Sequence, residues 1–108
     1  MWVLDPLPLL EALGGLRVRG VGAAELAARF HESVADAAAK LSVHLCEERA
    51  LDTVALGGGC FQNARLLAGV VGRLERAGLR VLVPRALGPN DGAVSYGQAV
   101  VASARMNL

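Results

Sequence analysis

Hydrophobic positions recur every three or four residues along three stretches of this chain, and two short apolar runs separate them. From Ala23 to about Ala50, Leu26, Phe30, Val34, Ala38, Leu41 and Leu45 fall on one face of a long helix, with Arg29, Glu32, Asp36, Lys40 and Glu47 on the other side. From Gln62 to Ala77 a second helix turns Leu66, Leu67, Val70, Val71 and Leu74 inward and Arg65, Arg73, Glu75 and Arg76 outward. Gly78 follows it where a left-handed terminator belongs. A third helix is predicted from about Asp91 to Arg105, and its Ala93 and Gly97, four apart, make a face that another backbone can approach closely. Thr53 to Leu56 and Leu79 to Val83 are apolar runs closed by glycine or proline, the pattern of short buried strands. Residues 1–22 read as an irregular or short-helical lead-in. A brief helix is expected from Leu7 to Leu16 after Asp5-Pro6, broken up by Gly14, Gly15, Gly20 and Gly22.

The predicted order over residues 23–108 is therefore α-β-α-β-α, and a strand-helix-strand crossover implies parallel pairing. The fold class is α/β, and residues 1–108 read as one partial domain. Two parallel strands do not make a sheet that survives in water alone; they need flanking strands at their edges and helices on both faces. Composition points the same way. The chain is 54% hydrophobic with a mean hydropathy of +0.43 although only 4% is aromatic, so the excess comes from Ala, Leu and Val. A small domain with so apolar a surface is expected to be covered, either by the rest of a larger α/β sheet or by self-association.

Charge excludes more than it suggests. Eleven basic residues against ten acidic ones leave no broad electrostatic footprint for nucleic acid or membrane. The Ala93 to Ala104 stretch is too short to span a bilayer, and Asp5, Pro6, Pro8 and Glu11 interrupt what would be the apolar core of a signal peptide. Cys46 and Cys60 have neither CxxC spacing nor a disulfide framework, which suits a reduced, cytoplasmic setting.

Chemistry concentrates at two junctions, Gly57-Gly58-Gly59-Cys60-Phe61-Gln62-Asn63 after the first strand and Pro89-Asn90-Asp91-Gly92-Ala93 after the second. A bare backbone opening a helix can approach a phosphate, offer N–H groups and present the positive end of the helix dipole. Neither the dinucleotide fingerprint nor the P-loop is present: position 62 is Gln, and no Gly-Lys-Ser/Thr follows. The triple glycine reads equally as a tight turn. Asn63 suits either a ribose or base contact or a local bond at the helix start. Asp91 suits either an ordinary N-cap or a carboxylate ligand to a divalent metal beside a triphosphate. His31 and His44, thirteen apart on the long helix, lack metal-ligand spacing and read as surface or satisfied histidines. Cys60 has no His or Lys beside it in sequence to activate it and reads as a small apolar filler.

The run Val54-Ala55-Leu56-Gly57-Gly58-Gly59-Cys60-Phe61-Gln62-Asn63, followed by Leu66-Leu67, resembles the "VALSGGVFQN…LL" segment of HypF-type carbamoyltransferases of nickel-iron hydrogenase maturation. Val81-Leu82-Val83-Pro84, Pro89-Asn90-Asp91-Gly92-Ala93 and Gly97-Gln98-Ala99 resemble that family's "VLxP…PNDGGxxxGQA" ending, and Ala27-Ala28-Arg29-Phe30-His31 its "AxxFH" helix. The resemblance covers nearly the whole chain. More distantly it is similar to the tRNA threonylcarbamoyl-transfer proteins, which share the actin-like ATPase fold.

The resemblance implies the end of the second lobe of an actin-like ATP-binding fold. It further implies carbamoyl transfer from carbamoyl phosphate, through carbamoyl adenylate, to the C-terminal cysteine of the partner protein HypE. Carried over residue by residue, Gly58 and Gly59 match the glycine pair near the nucleotide phosphates, Asn63 the nucleotide-contacting Asn, and Asp91 the Asp on the metal and γ-phosphate side. The chain departs from the pattern at Gly57 (usually Ser), Cys60 (usually Val) and Ala93 (usually Gly). The acylphosphatase-like, zinc and adenylate-forming modules, and the first lobe's histidine-rich metal motif, have no counterpart here. One carboxylate is not a metal site, so ATP and a divalent metal would be shared with a first lobe, and the chain alone is not expected to transfer carbamoyl groups. Two other expectations stand beside this one: a non-catalytic remnant or interaction module without nucleotide binding, and a tRNA threonylcarbamoyl-transfer fragment.

Overall fold

A computed structural model describes residues 1–107. Its elements run α1 (Leu7–Val18), α2 (Ala23–Arg49), β1 (Thr53–Ala55), a 3-10 turn (Gly59–Gln62), α3 (Ala64–Arg76), β2 (Arg80–Leu82), a second 3-10 turn (Asp91–Ala93) and α4 (Val94–Met106). The strands pair in parallel with Thr53 opposite Arg80, Val54 opposite Val81 and Ala55 opposite Leu82. Leu56 N–H still donates to the Leu82 carbonyl at 2.9 Å, so the ladder runs one residue past the strand proper.

The lead-in is more helical than its glycines suggest. The Asp5 carboxylate accepts from Leu7 N–H at 3.0 Å and Pro6 caps α1. The helix then runs through Gly14 and Gly15 to Val18, correcting the expected end at Leu16. Each interior glycine costs about 1 kcal/mol against alanine. Docking of half-buried Leu9, Leu13 and Leu16, one helical face, against α2 offsets that. Termination waits for Gly20, whose φ of +92° takes the left-handed turn.

α2 corrects a second expectation. The stripe of large residues from Leu26 to Leu45 is not its most buried face: Ala35, Ala39 and Cys46 are, with Phe30 exposed and Val34 and Ala38 half-buried. α2 and α3 pack closely through small residues, and a Cβ built on Gly69 would stand 3.1 Å from the Ala35 Cβ. Within this chain the close approach is made at Gly69, and a Cβ on Gly97 would meet nothing within 4 Å. α3 buries Val70 and Leu74 with Leu66, Leu67 and Val71 half-buried, as its periodicity indicates. Gly78 has the left-handed φ, +83°. Arg73, read as outward, lies across α2 instead, 2.6 Å from Glu32 and 3.8 Å from Asp36.

The core is small: Ala35, Ala39, Leu56, Val70 and Leu74, flanked by Val54, Phe61, Val81 and Val83. Trp2, Leu4, Leu7, Leu10, Val94, Tyr96, Val100 and Val101 remain exposed, and α4 buries no residue. The radius of gyration is 17.2 Å, with extents of 61 × 31 × 25 Å; a compact chain of this length has about 13 Å.

Candidate functional site

Parallel pairing places the exits of β1 and β2 at one edge of the sheet, the edge where open α/β sheets take ligands. Both glycine junctions begin there. They also touch: Gly58 N–H donates to the carbonyl of Pro89, two residues before Asp91. Gly58 has φ +103° and ψ 156°, a combination open essentially to glycine alone. A Cβ on Gly57, Gly58 or Gly59 would meet nothing within 4 Å, so open space faces all three.

The first junction closes into the 3-10 turn, with Phe61 N–H donating to the Gly58 carbonyl and Asn63 N–H to the Cys60 carbonyl. Gly59 and Cys60 begin that turn, and their N–H groups have no backbone acceptor outside it among the described residues. Free N–H groups beside open space suit an anionic oxygen, so the backbone here fits a phosphate.

Asn63 caps α3, its Oδ1 accepting from Leu66 N–H at 3.0 Å. Its Nδ2 lies 2.8 Å from His31 Nε2, and His31 Nδ1 lies 2.7 Å from the Ala27 carbonyl. His31 and Asn63 line one cleft of about 290 Å³ with Phe30, Val34, Gly59, Cys60 and Leu66. Cys60 is exposed there rather than a filler of the core, a correction that follows from its place on the open turn. Although His31 shares the cleft, both its ring nitrogens are engaged elsewhere, so it is not available as a base for the thiol. His44 packs edge-on to Trp2, with ring centroids 4.5 Å apart.

At the second junction Asn90, not Asp91, is the cap: its Oδ1 accepts from Gly92 N–H at 3.0 Å. Asp91 begins the 3-10 turn, exposed, and no hydrogen bond or ion pair holds its carboxylate among the described residues. No three His, Cys, Asp or Glu side chains converge on a metal site among those residues. The donor set present therefore does not make a metal centre. The chain keeps Gly58 and Asp91 in neighbouring loops but leaves Asn63 on the far side of the glycine turn, at the start of α3.

Residues 1–98 match the family described as the second subdomain of the Kae1-like domain of carbamoyltransferases. The chain belongs to the HypF carbamoyltransferase family. It is 43% identical to a HypF homologue of Cupriavidus necator over 94% of its own length and 26% of that protein's. Against HypF of Synechocystis the identity is 44% over 68% of this chain and 9% of the relative. A full-length HypF crystallised in a phosphate- and nucleotide-bound form superposes with a TM-score of 0.87 and 32% identity over 91% of this chain, which is 13% of that structure. The chain thus spans between 9% and 26% of the length of these HypF proteins. A tRNA N6-adenosine threonylcarbamoyltransferase of Corynebacterium aurimucosum shares 39% identity over 56% of the chain. The fold is accordingly α/β and part of the second lobe of the actin-like architecture, as the family resemblance implies. Among the described residues no helix is long and apolar enough to cross a membrane.

Proposed function

We propose that this chain forms one wall of the ATP site of a HypF-type carbamoyltransferase. Gly58 and Gly59 lie along the phosphates, Asn63 contacts the nucleotide from the far end of the turn, and Asp91 faces a divalent metal whose other ligands come from the first lobe. The observation that carries the reading is the bond from Gly58 N–H to the Pro89 carbonyl, which fastens the two motif-bearing loops together at the carboxyl edge of the strands. The chain's own contribution is binding and orientation: backbone N–H groups against phosphate oxygens and one carboxylate beside them. Among the described residues no side chain is arranged as a nucleophile with a general base beside it. Carbamoyl transfer from carbamoyl phosphate, through carbamoyl adenylate, to the C-terminal cysteine of HypE belongs to the complete enzyme on this reading.

Calorimetric titration with ATP and Mg²⁺ tests it, first on the chain alone and then with the remainder of the Kae1-like domain supplied. Binding is expected only in the second case, and Asp91→Ala should weaken its metal-dependent part. Absence of binding in both cases overturns the reading in favour of an interaction module. Unchanged affinity in Asp91→Ala leaves Asp91 with no part in the site.

A further inference from the structure

His31 and Asn63 stand 32 residues apart in sequence, yet their side chains meet at 2.8 Å. The hydrogen-bond inventory fixes both of them. The Ala27 carbonyl can only accept, so the His31 nitrogen 2.7 Å from it, Nδ1, carries the proton. Nε2 is then a lone pair. On the other side Leu66 N–H can only donate, so the Asn63 atom facing it is the oxygen, and the amide NH₂ is left pointing at Nε2. Each assignment requires the other. The imidazole is held from its side by the Phe30 ring, edge-on at 5.9 Å between centroids.

We propose that His31 is a positioning residue for the glycine turn: as the neutral Nδ1–H tautomer it locks Asn63 in its capping rotamer and fastens the end of the 57–63 junction to α2. Protonating Nε2 replaces the acceptor with a donor aimed at a donor, and the clasp opens. The charged and titratable groups around it are Glu32 on its own helix, Arg65 at the start of α3, 3.9 Å from Glu32, and the Cys60 thiol from the 3-10 turn. α1 lends the cleft no charged side chain. The clasp matters to ATP binding only through the function proposed above, on which that consequence rests; the clasp itself is read without nucleotide.

Nitrogen-15 spectra of the full chain report the tautomer of His31, and the Asn63 side-chain amide protons report the contact. The expected result is an Nδ1–H tautomer, with the Asn63 amide shifting in step with His31 as acid is added. Two variants separate clasp from packing. His31→Gln retains an oxygen acceptor near the Nε2 position and should keep slow exchange at Leu66 N–H, with no pH step. His31→Leu retains bulk without an acceptor and should speed that exchange ~5-fold, the size of a lost helix cap. A dominant Nε2–H tautomer, an Asn63 amide indifferent to His31 titration, or equal exchange in the two variants would each overturn the proposal. None of these readouts needs ATP, so their failure is distinct from a failure to bind nucleotide.

Discussion

The two glycine junctions share a local design and differ in what lies beyond it. Each leaves a parallel strand, passes through an Asn whose side chain caps the next turn (Asn63 and Asn90), includes a 3-10 turn and runs into a helix of 13 residues. After the first junction α3 drives Val70 and Leu74 into the core and ties its Arg73 to Glu32 of α2. After the second, α4 buries nothing. Local chemistry is therefore enough to shape a junction, while the stability of the helix it launches is set by what covers that helix.

The comparison breaks most sharply at the helices. Leu74→Ala empties the best-buried position of a very small core and should lower the stability of the α2–α3–sheet body by about 2–5 kcal/mol. Val100→Ala, on α4, should change it by less than about 0.5 kcal/mol. Urea unfolding followed by circular dichroism checks both, and a large Val100 effect would mean α4 is packed in solution.

Within the first junction, Gly58→Ala forces a side chain onto a φ of +103° and should cost about 1–3 kcal/mol. Gly59→Ala, with open space at its Cβ and no positive φ, should leave folding nearly unchanged. With the remainder of the Kae1-like domain supplied, loss of ATP binding in a normally folded Gly59→Ala protein would then report a ligand too close to tolerate a methyl group.

The two caps give a smaller contrast. Asn63→Ala should lower the global transition by about 1 kcal/mol, because α3 belongs to the cooperative body. Asn90→Ala should leave that transition in place and speed amide exchange only around Gly92.

The smallest effect is electrostatic. Arg73, hydrogen-bonded to Glu32 and adding its own charge, holds the Glu32 carboxyl below the usual carboxylate range, with Arg65 helping. A depressed folded value means the contribution is present above the unfolded titration and is lost as pH falls through the lowered one. Acid titration of stability should show a shallow decline there that Glu32→Gln removes; the pair is exposed, so the decline is slight.

How far the sequence could be read follows the same division. Periodicity found α3 because its apolar residues form a single stripe. It found only the half-buried face of α2 and missed the most buried one, because large residues outweigh alanines in any pattern although alanines permit the closest packing. The glycines of α1 looked like breaks because propensity is local, whereas docking of Leu9, Leu13 and Leu16 on α2 is not. Gly58, Gly59 and Asp91 were legible as candidates from their order along the chain. The contact of His31 with Asn63 was not, since neither spacing nor composition relates residues on separate elements. Nor could sequence show that Asn90 rather than Asp91 takes the capping role: both types favour that position, and one residue of register decides between them.

The bond between Gly58 and Pro89 involves main-chain atoms only. The oxygen at position 89 belongs to the main chain whatever the side chain, so truncating side chains by alanine scanning across that loop does not remove the acceptor itself from the tie. Its weak point lies on the other strand's exit, in the one backbone conformation that turns the Gly58 amide toward its partner. Two loops some thirty residues apart along the chain are held in one frame by a main-chain oxygen that no codon specifies.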